Sequence, residues 1–130
     1  IADLSVDTAR LVNKGFKACI LGGMLKTGTE AIVGSGAVQA LRHYNFTKAF
    51  IGINGITVSQ GCTTPDVEEA ELKATALRQA YIKYVLADSS KFGRVSAVTV
   101  APIDQACIVT DRLPDKSYRK HAVIKEVEGL

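Results

Sequence analysis

Ala49-Phe50-Ile51-Gly52-Ile53 is a short apolar run, and it leads into Asn54-Gly55-Ile56 and a Gly-, Asn- and Thr-rich stretch that ends at Thr64-Pro65-Asp66-Val67-Glu68-Glu69. The apolar run has the length and composition of a buried strand, and the stretch after it reads as a loop. A helix is expected from there. Thr64 can cap it, Pro65 suits the first helical position, and Asp66, Glu68 and Glu69 sit at the positive end of its dipole. Val67, Ala70, Ala74, Leu77 and Tyr81 would form its buried face. A strand, a polar loop and an amphipathic helix in this order are the repeating unit of a parallel α/β sheet.

The flanking segments repeat the pattern. Residues 1–14 carry Leu4, Leu11 and Val12 at helical spacing, with Gly15 as the stop. Ala18-Cys19-Ile20-Leu21 reads as a strand buried on both faces and ends at Gly22-Gly23. Ala31-Ile32-Val33 is the next strand; Gly34-Ser35-Gly36 then opens a short helix running to about Asn45. Beyond the long helix, Val85-Leu86-Ala87 leads into the polar loop Asp88 to Gly93. Val98–Ala101 and Ile108-Val109 are two further strands, and Val123 and Val127 suggest a weak last strand or helix. The expected fold is α/β, a mostly parallel sheet flanked by helices, in one domain of 130 residues.

Sixteen basic and 13 acidic residues give a net charge of +3 with no Lys or Arg run, so the chain itself offers no nucleic-acid stripe. No apolar stretch approaches the roughly 18 residues of a membrane span, and no leader peptide is evident, which points to a cytoplasmic protein. Ile1 is not an initiator Met, which suggests an internal piece of a longer chain. Cys19, Cys62 and Cys107 are odd in number and lack metal or redox spacing. Cys19 and Cys107 are expected inside, and Cys62, beside Gly61, outside. His43 and His121 have no partners at ligand spacing, so neither a metal nor a catalytic role is assigned to them.

In an open parallel sheet, ligands bind beyond the carboxyl ends of the strands, where loops and helix starts converge. Those loops contain Gly22-Gly23, Gly34-Ser35-Gly36, Asn54-Gly55, Thr63-Thr64 and Lys91. Taken alone, Gly34-Ser35-Gly36 fits a phosphate cradle or a plain helix cap, and Asn54-Gly55 fits a tight turn or a ligand contact. Glu69 and Lys73, four apart, fit an exposed ion pair or a pair facing a cleft, in which Lys73 meets an anion and Glu69 accepts hydroxyls. Lys91 is open to the same two interpretations.

Three linked segments go further. Ala49 to Ile56, then Gly61-Cys62-Thr63-Thr64-Pro65 with Glu68-Glu69-Ala70 and Lys73, then Leu86-Ala87-Asp88-Ser89-Ser90-Lys91-Phe92-Gly93 resemble, in order and spacing, the carboxyl-terminal domain of DeoR-type sugar-metabolism repressors. Leu21-Gly22-Gly23, Val33-Gly34 and Val109-Thr110-Asp111 add to the match. The resemblance implies a fold related to ribose-5-phosphate isomerase and a domain that senses a phosphorylated sugar, is homo-oligomeric, and meets operator DNA only through a separate N-terminal helix-turn-helix domain. It also implies that the front of the sensor domain precedes Ile1. By motif position, Gly22, Gly23, Asn54, Gly55, Thr63, Thr64, Glu69, Lys73 and Lys91 become the ligand-binding residues, with no cofactor and no metal. Isomerase relatives carry an acidic pair where this chain has Asn54-Gly55-Ile56, so the expected base for catalysis is missing and no enzyme activity is assigned. An isomerase-like enzyme and a pure oligomerisation module are the alternatives.

Overall fold

The computed structural model describes residues 2–3 and 8–128, which divide into two compact units, residues 1–44 and 45–130. In the first unit, β1 (Ala2–Asp3) pairs in parallel with β2 (Cys19–Ile20), and β3 (Met24–Leu25) pairs antiparallel with β4 (Ile32–Val33). Helix α1 covers Thr8–Asn13 and α2 covers Ser35–Arg42, the latter packed against β4. Ala37, Val38 and Leu41 are buried on α2, with Gly34 as its N-cap. Two expectations are corrected in this unit. The opening helix is shorter than 1–14, because Ala2–Asp3 is strand, while Leu4 lies outside the described residues. The run 18–21 is not buried on both faces, since Cys19 is exposed and Ile20 is 52% exposed; only Leu21 is buried.

The second unit is built on four parallel strands in the order β11 (Ile124–Glu126), β10 (Cys107–Thr110), β8 (Ala80–Leu86), β5 (Phe46–Gly52). Their register places Ile51, Val85, Ile108 and Ile124 in one row across the sheet, and all four are buried. This is the alternation expected of a strand, in which every second residue reaches the core. Helix α3 (Val67–Arg78) packs on β5 and β8. On the neighbouring row Phe50 and Tyr84 stack at 4.9 Å and 7°. The architecture is α/β with a parallel central sheet and helical cover, as the alternation of segments implies.

The stretch between Asn54 and Thr64 departs from the expected loop. It forms an antiparallel hairpin, β6 (Gly55–Thr57) with β7 (Gly61–Thr64), and β7 also pairs with β9 (Val98–Ala101). Glycine and threonine hide this from a composition reading, but both glycines are there for space. A Cβ on Gly55 would collide with the Arg94 carbonyl and the Thr63 hydroxyl, and one on Gly61 with the Ala101 carbonyl. The same hairpin buries Cys62, which was expected outside.

Helix α3 starts later than the capping signal suggests. Thr64 is still strand, and its hydroxyl is committed to Asn54, so Asp66 takes the cap and accepts from the Glu69 N–H at 2.9 Å. The buried face is therefore Ala70, Leu72, Thr75, Ala76 and Leu77. Val67 is exposed, Ala74 is half-buried, and Tyr81 is already in β8. Thr75 enters this face by donating its hydroxyl to the Glu71 carbonyl at 2.8 Å. Among the described residues no helix is long and apolar enough to cross a membrane.

Ile108 is fully buried at the centre of the sheet. Ile108→Ala is expected to cost about 2–5 kcal/mol of unfolding free energy and Ile108→Val about 0.5–1.5, measured by urea denaturation with an unchanged slope. An Ile108→Ala loss below about 1 kcal/mol would refute this placement of the core.

Candidate functional site

The loops that leave the carboxyl ends of β5, β8 and β10 are joined to one another by hydrogen bonds. From β5 the chain passes Ile53 to Asn54, whose N–H donates to the Thr63 carbonyl at 2.9 Å. The Asn54 side-chain oxygen accepts from the Thr64 hydroxyl at 2.9 Å. The amide oxygen is committed to this bond, while Asn54 as a residue is exposed. The Thr63 hydroxyl donates to the Gly55 carbonyl at 3.2 Å and accepts from the Ser96 N–H at 2.9 Å. Both threonines are buried, so they fix Asn54 and Gly55 from behind and do not present their own oxygens.

The β8 loop is held at both ends. Asp88 caps the 3-10 turn Ser89–Lys91 by accepting from the Ser90 N–H at 2.8 Å, and from the Ser90 hydroxyl. The hydroxyl bond, with the backbone bond behind it, holds the Asp88 carboxyl below its ordinary range. Asp111, at the end of β10, accepts from the Ser89 N–H at 2.7 Å, and that bond is the main reason its carboxyl is also held low. At the far end, Gly93 N–H donates to the Ile56 carbonyl at 2.8 Å, and Phe92 forms a parallel bridge with Ile56. Lys91 lies between these anchors and is half-buried.

Glu69 and Lys73 occupy successive turns of α3, both half-buried. An exposed ion pair would raise the lysine pKa. Here burial, the larger effect, lowers the Lys73 pKa, and the Glu69 charge opposes it only in part. The ammonium is therefore partly stripped of water while keeping an anionic neighbour. Gly22 and Gly23 belong to the first unit: Gly22 is exposed, and Gly23 sits where a Cβ would press on the Ile32 side chain and the Val33 carbonyl.

The structure thus brings Asn54, Gly55, Thr63 and Thr64 into one bonded cluster, with the Lys91 loop tied to it through Ile56 and through Ser96. Sequence reasoning missed Asp111 as a loop anchor and Ser96 as a partner of Thr63. Asp111 was visible within Val109-Thr110-Asp111, but its bond to Ser89 spans 22 residues and has no local signature. A separate open groove of about 430 Å³ lies beside the β6–β7 turn, lined in part by Gln60, Asp104 and His121. The residues singled out for ligand binding do not line it. Among the described residues no group of three His, Cys, Asp or Glu side chains could hold a metal ion.

A parallel α/β sheet whose strand-end loops hold fixed amides and the half-buried Lys91 suits recognition of a small polar ligand. Comparison with known proteins agrees with that class. Residues 4–112 match the model of the DeoR C-terminal sensor domain, and the chain belongs to that family, which is regulatory and not enzymatic. It is 41% identical over 121 residues, 91% of its length, to the Uncharacterized HTH-type transcriptional regulator FruR of Bacillus subtilis (strain 168), covering 48% of that protein. It is 35% identical over 119 residues to the HTH-type transcriptional regulator IolR of the same strain, covering 91% of this chain and 47% of the relative. A Lactose phosphotransferase system repressor of Staphylococcus epidermidis (strain ATCC 35984) is 38% identical over 79 residues, 61% of this chain and 31% of that repressor. The chain spans about half the length, or less, of these relatives.

Three measurements test the site's framework. Thr64→Val keeps the shape but removes the hydroxyl that holds Asn54, and should cost about 0.5–1.5 kcal/mol in denaturant unfolding, the net worth of one hydrogen bond whose exposed partner can turn to water; a neutral substitution would refute the clamp. Burial pushes the Cys62 thiol from 9.0 up to about 11. The folded pKa lies above the unfolded one, so this contribution to stability is complete below pH 9.0 and is lost as pH rises through about 11. At pH 8 a disulfide reagent should titrate exposed Cys19 rapidly and Cys62 only on unfolding. Rapid native labelling of Cys62, or a stability curve flat from pH 9 to 11 in wild type and Cys62→Ala alike, would contradict the buried hairpin.

Proposed function

We propose that this domain is the sensor of a cytoplasmic transcription repressor of carbohydrate catabolism and that its effector is a phosphorylated sugar. Lys73 carries the proposal. A half-buried ammonium beside a carboxylate suits a ligand that offers both anionic oxygens and hydroxyls, with Lys73 on the phosphate or ring oxygens and Glu69 accepting from the hydroxyls. The Asn54 NH2, the backbone around Gly55 and the Lys91 ammonium supply further donors, and Thr63 and Thr64 hold that backbone in place. The printed name of one relative, a lactose phosphotransferase system repressor, joins a sugar with phosphoryl transfer and supports the same chemical class.

In the full-length protein, operator DNA is met by a separate N-terminal domain in a homo-oligomer, and the sugar phosphate shifts the repressor toward a state that releases DNA. The shift is limited by the ligand's difference in affinity between the two states. Calorimetric titration of the full-length protein with glucose 6-phosphate, fructose 6-phosphate, ribose 5-phosphate and inorganic phosphate tests this reading. One sugar phosphate should bind in the micromolar range, and Lys73→Ala should weaken it by about 10-fold or more, the loss expected for a hydrogen bond to a charged group. Failure of every sugar phosphate to bind, or equal binding by the variant, would overturn the assignment.

A further inference from the structure

The family match stops at residue 112, yet the segment after it is built into the fold. β11 extends the parallel sheet beyond β10. Arg119 donates to the Ile124 carbonyl at 2.8 Å and pairs with Glu126 at 3.2 Å, while the other Glu126 oxygen accepts from the Leu113 N–H at 2.7 Å. Asp115 caps the 3-10 turn Lys116–Lys120 through the Ser117 N–H at 2.8 Å. These bonds fix the turn, and the turn delivers Tyr118 to the β8 loop. Its ring meets Phe92 edge-on, with centroids 5.1 Å apart at 72°, and its hydroxyl points at the Ile56 carbonyl, 3.5 Å away.

Phe92 is the residue after Lys91 and bridges to Ile56. We propose that Tyr118 is a positioning residue of the effector site, acting through the Phe92 ring to fix the backbone on which Lys91 stands. This role rests on the reading of Lys91 as a ligand contact. Asp111 pins the loop on the Ser89 side, and on the far side it is tied by the backbone contacts of Phe92 and Gly93 with Ile56 and, further along, by the Ser96 N–H bond to the Thr63 hydroxyl. The ring is the larger part of Tyr118's contact, because a hydroxyl at 3.5 Å is at the limit of a hydrogen bond whereas the edge-on pair has a favoured aromatic geometry. The segment 113–128 is thus a brace for the site, and differences in it among relatives would retune affinity with the loop sequence unchanged.

Hydrogen exchange and calorimetric titration of full-length wild type, Tyr118→Ala, Tyr118→Phe and Ile124→Val test the proposal, with glucose 6-phosphate, fructose 6-phosphate and inorganic phosphate as probes. Tyr118→Ala should speed exchange at the amides of 90–93 several-fold without changing those of β8 and β10, and weaken binding about three- to tenfold, the range of one aromatic pair. Tyr118→Phe should retain both properties within about twofold, and Ile124→Val should lower Tm without moving either. Unchanged exchange in Tyr118→Ala, unchanged affinity despite a loosened loop, or a Phe variant as impaired as the Ala variant would each overturn the proposal. If wild type binds none of the probes, the reading of the site fails and Tyr118's role in it fails too; wild-type binding with an unaffected Tyr118→Ala defeats the brace alone.

Discussion

Two hydroxyl groups closed off from solvent, those of Thr63 and Thr64, set the conditions that the end of the sheet has to meet. Leaving either without a partner would cost about 1–3 kcal/mol, a large share of a small domain's stability. The partners are backbone and amide groups from two other places in the sequence: the adjacent Asn54 and Gly55, and Ser96. Satisfying them forces the β6–β7 hairpin, draws the segment before β9 against it, and fixes which way the Asn54 amide faces. Glycine is required at 55 and 61 because carbonyls of Arg94 and Ala101 occupy the space where a side chain would begin. The packing requirement and the presentation of donors at the strand end are therefore one constraint.

The charged groups around this framework divide by burial. Asp88 and Asp111 are exposed and held low by short bonds from N–H and hydroxyl donors, so they remain ionised and serve as caps. Lys73 is the opposite case: water has been partly removed from a group that prefers to be charged, with Glu69 as partial compensation. Burial of that kind opposes folding, because it penalises the charged form of the lysine. Burial separates the exposed caps from the half-buried lysine, and spacing carries no measure of burial, which is why spacing alone could not separate the two interpretations of Glu69 and Lys73.

What the sequence makes legible follows from the range of the forces involved. The apolar runs of β5, β9 and β10 and the acidic start of α3 are local features and stand out. The hairpin at 55–64 does not, because its strands are built from Gly, Thr and Cys and owe their pairing to buried hydroxyls and close backbone contact. Helix α3 was misplaced by two residues because Thr64 and Asp66 are both competent caps, and only the commitment of the Thr64 hydroxyl to Asn54 decides between them. Its buried face was blurred by alanines, which give little amphipathic contrast. The exposed Ile20 shows the reverse error, where an apolar run looks like core but burial is a property of neighbours. The candidate site is legible as a set of motifs in order; its distances, and the pinning of Ser89 by Asp111, are not.

The last strand illustrates the same limit at longer range. Val123 and Val127 left residues 114–130 open between strand and helix, yet Ile124–Glu126 lies in register beside β10, and the turn before it reaches a loop that begins 30 positions earlier in the chain. A surface ion pair such as Arg119–Glu126 adds little energy by itself. Its value is geometric: with Glu126 also accepting from Leu113, the pair closes a ring of bonds that leaves Tyr118 one place to go. Weak contacts closed into a ring specify position more sharply than their energies suggest, because each removes freedom that the others would otherwise have to restrain.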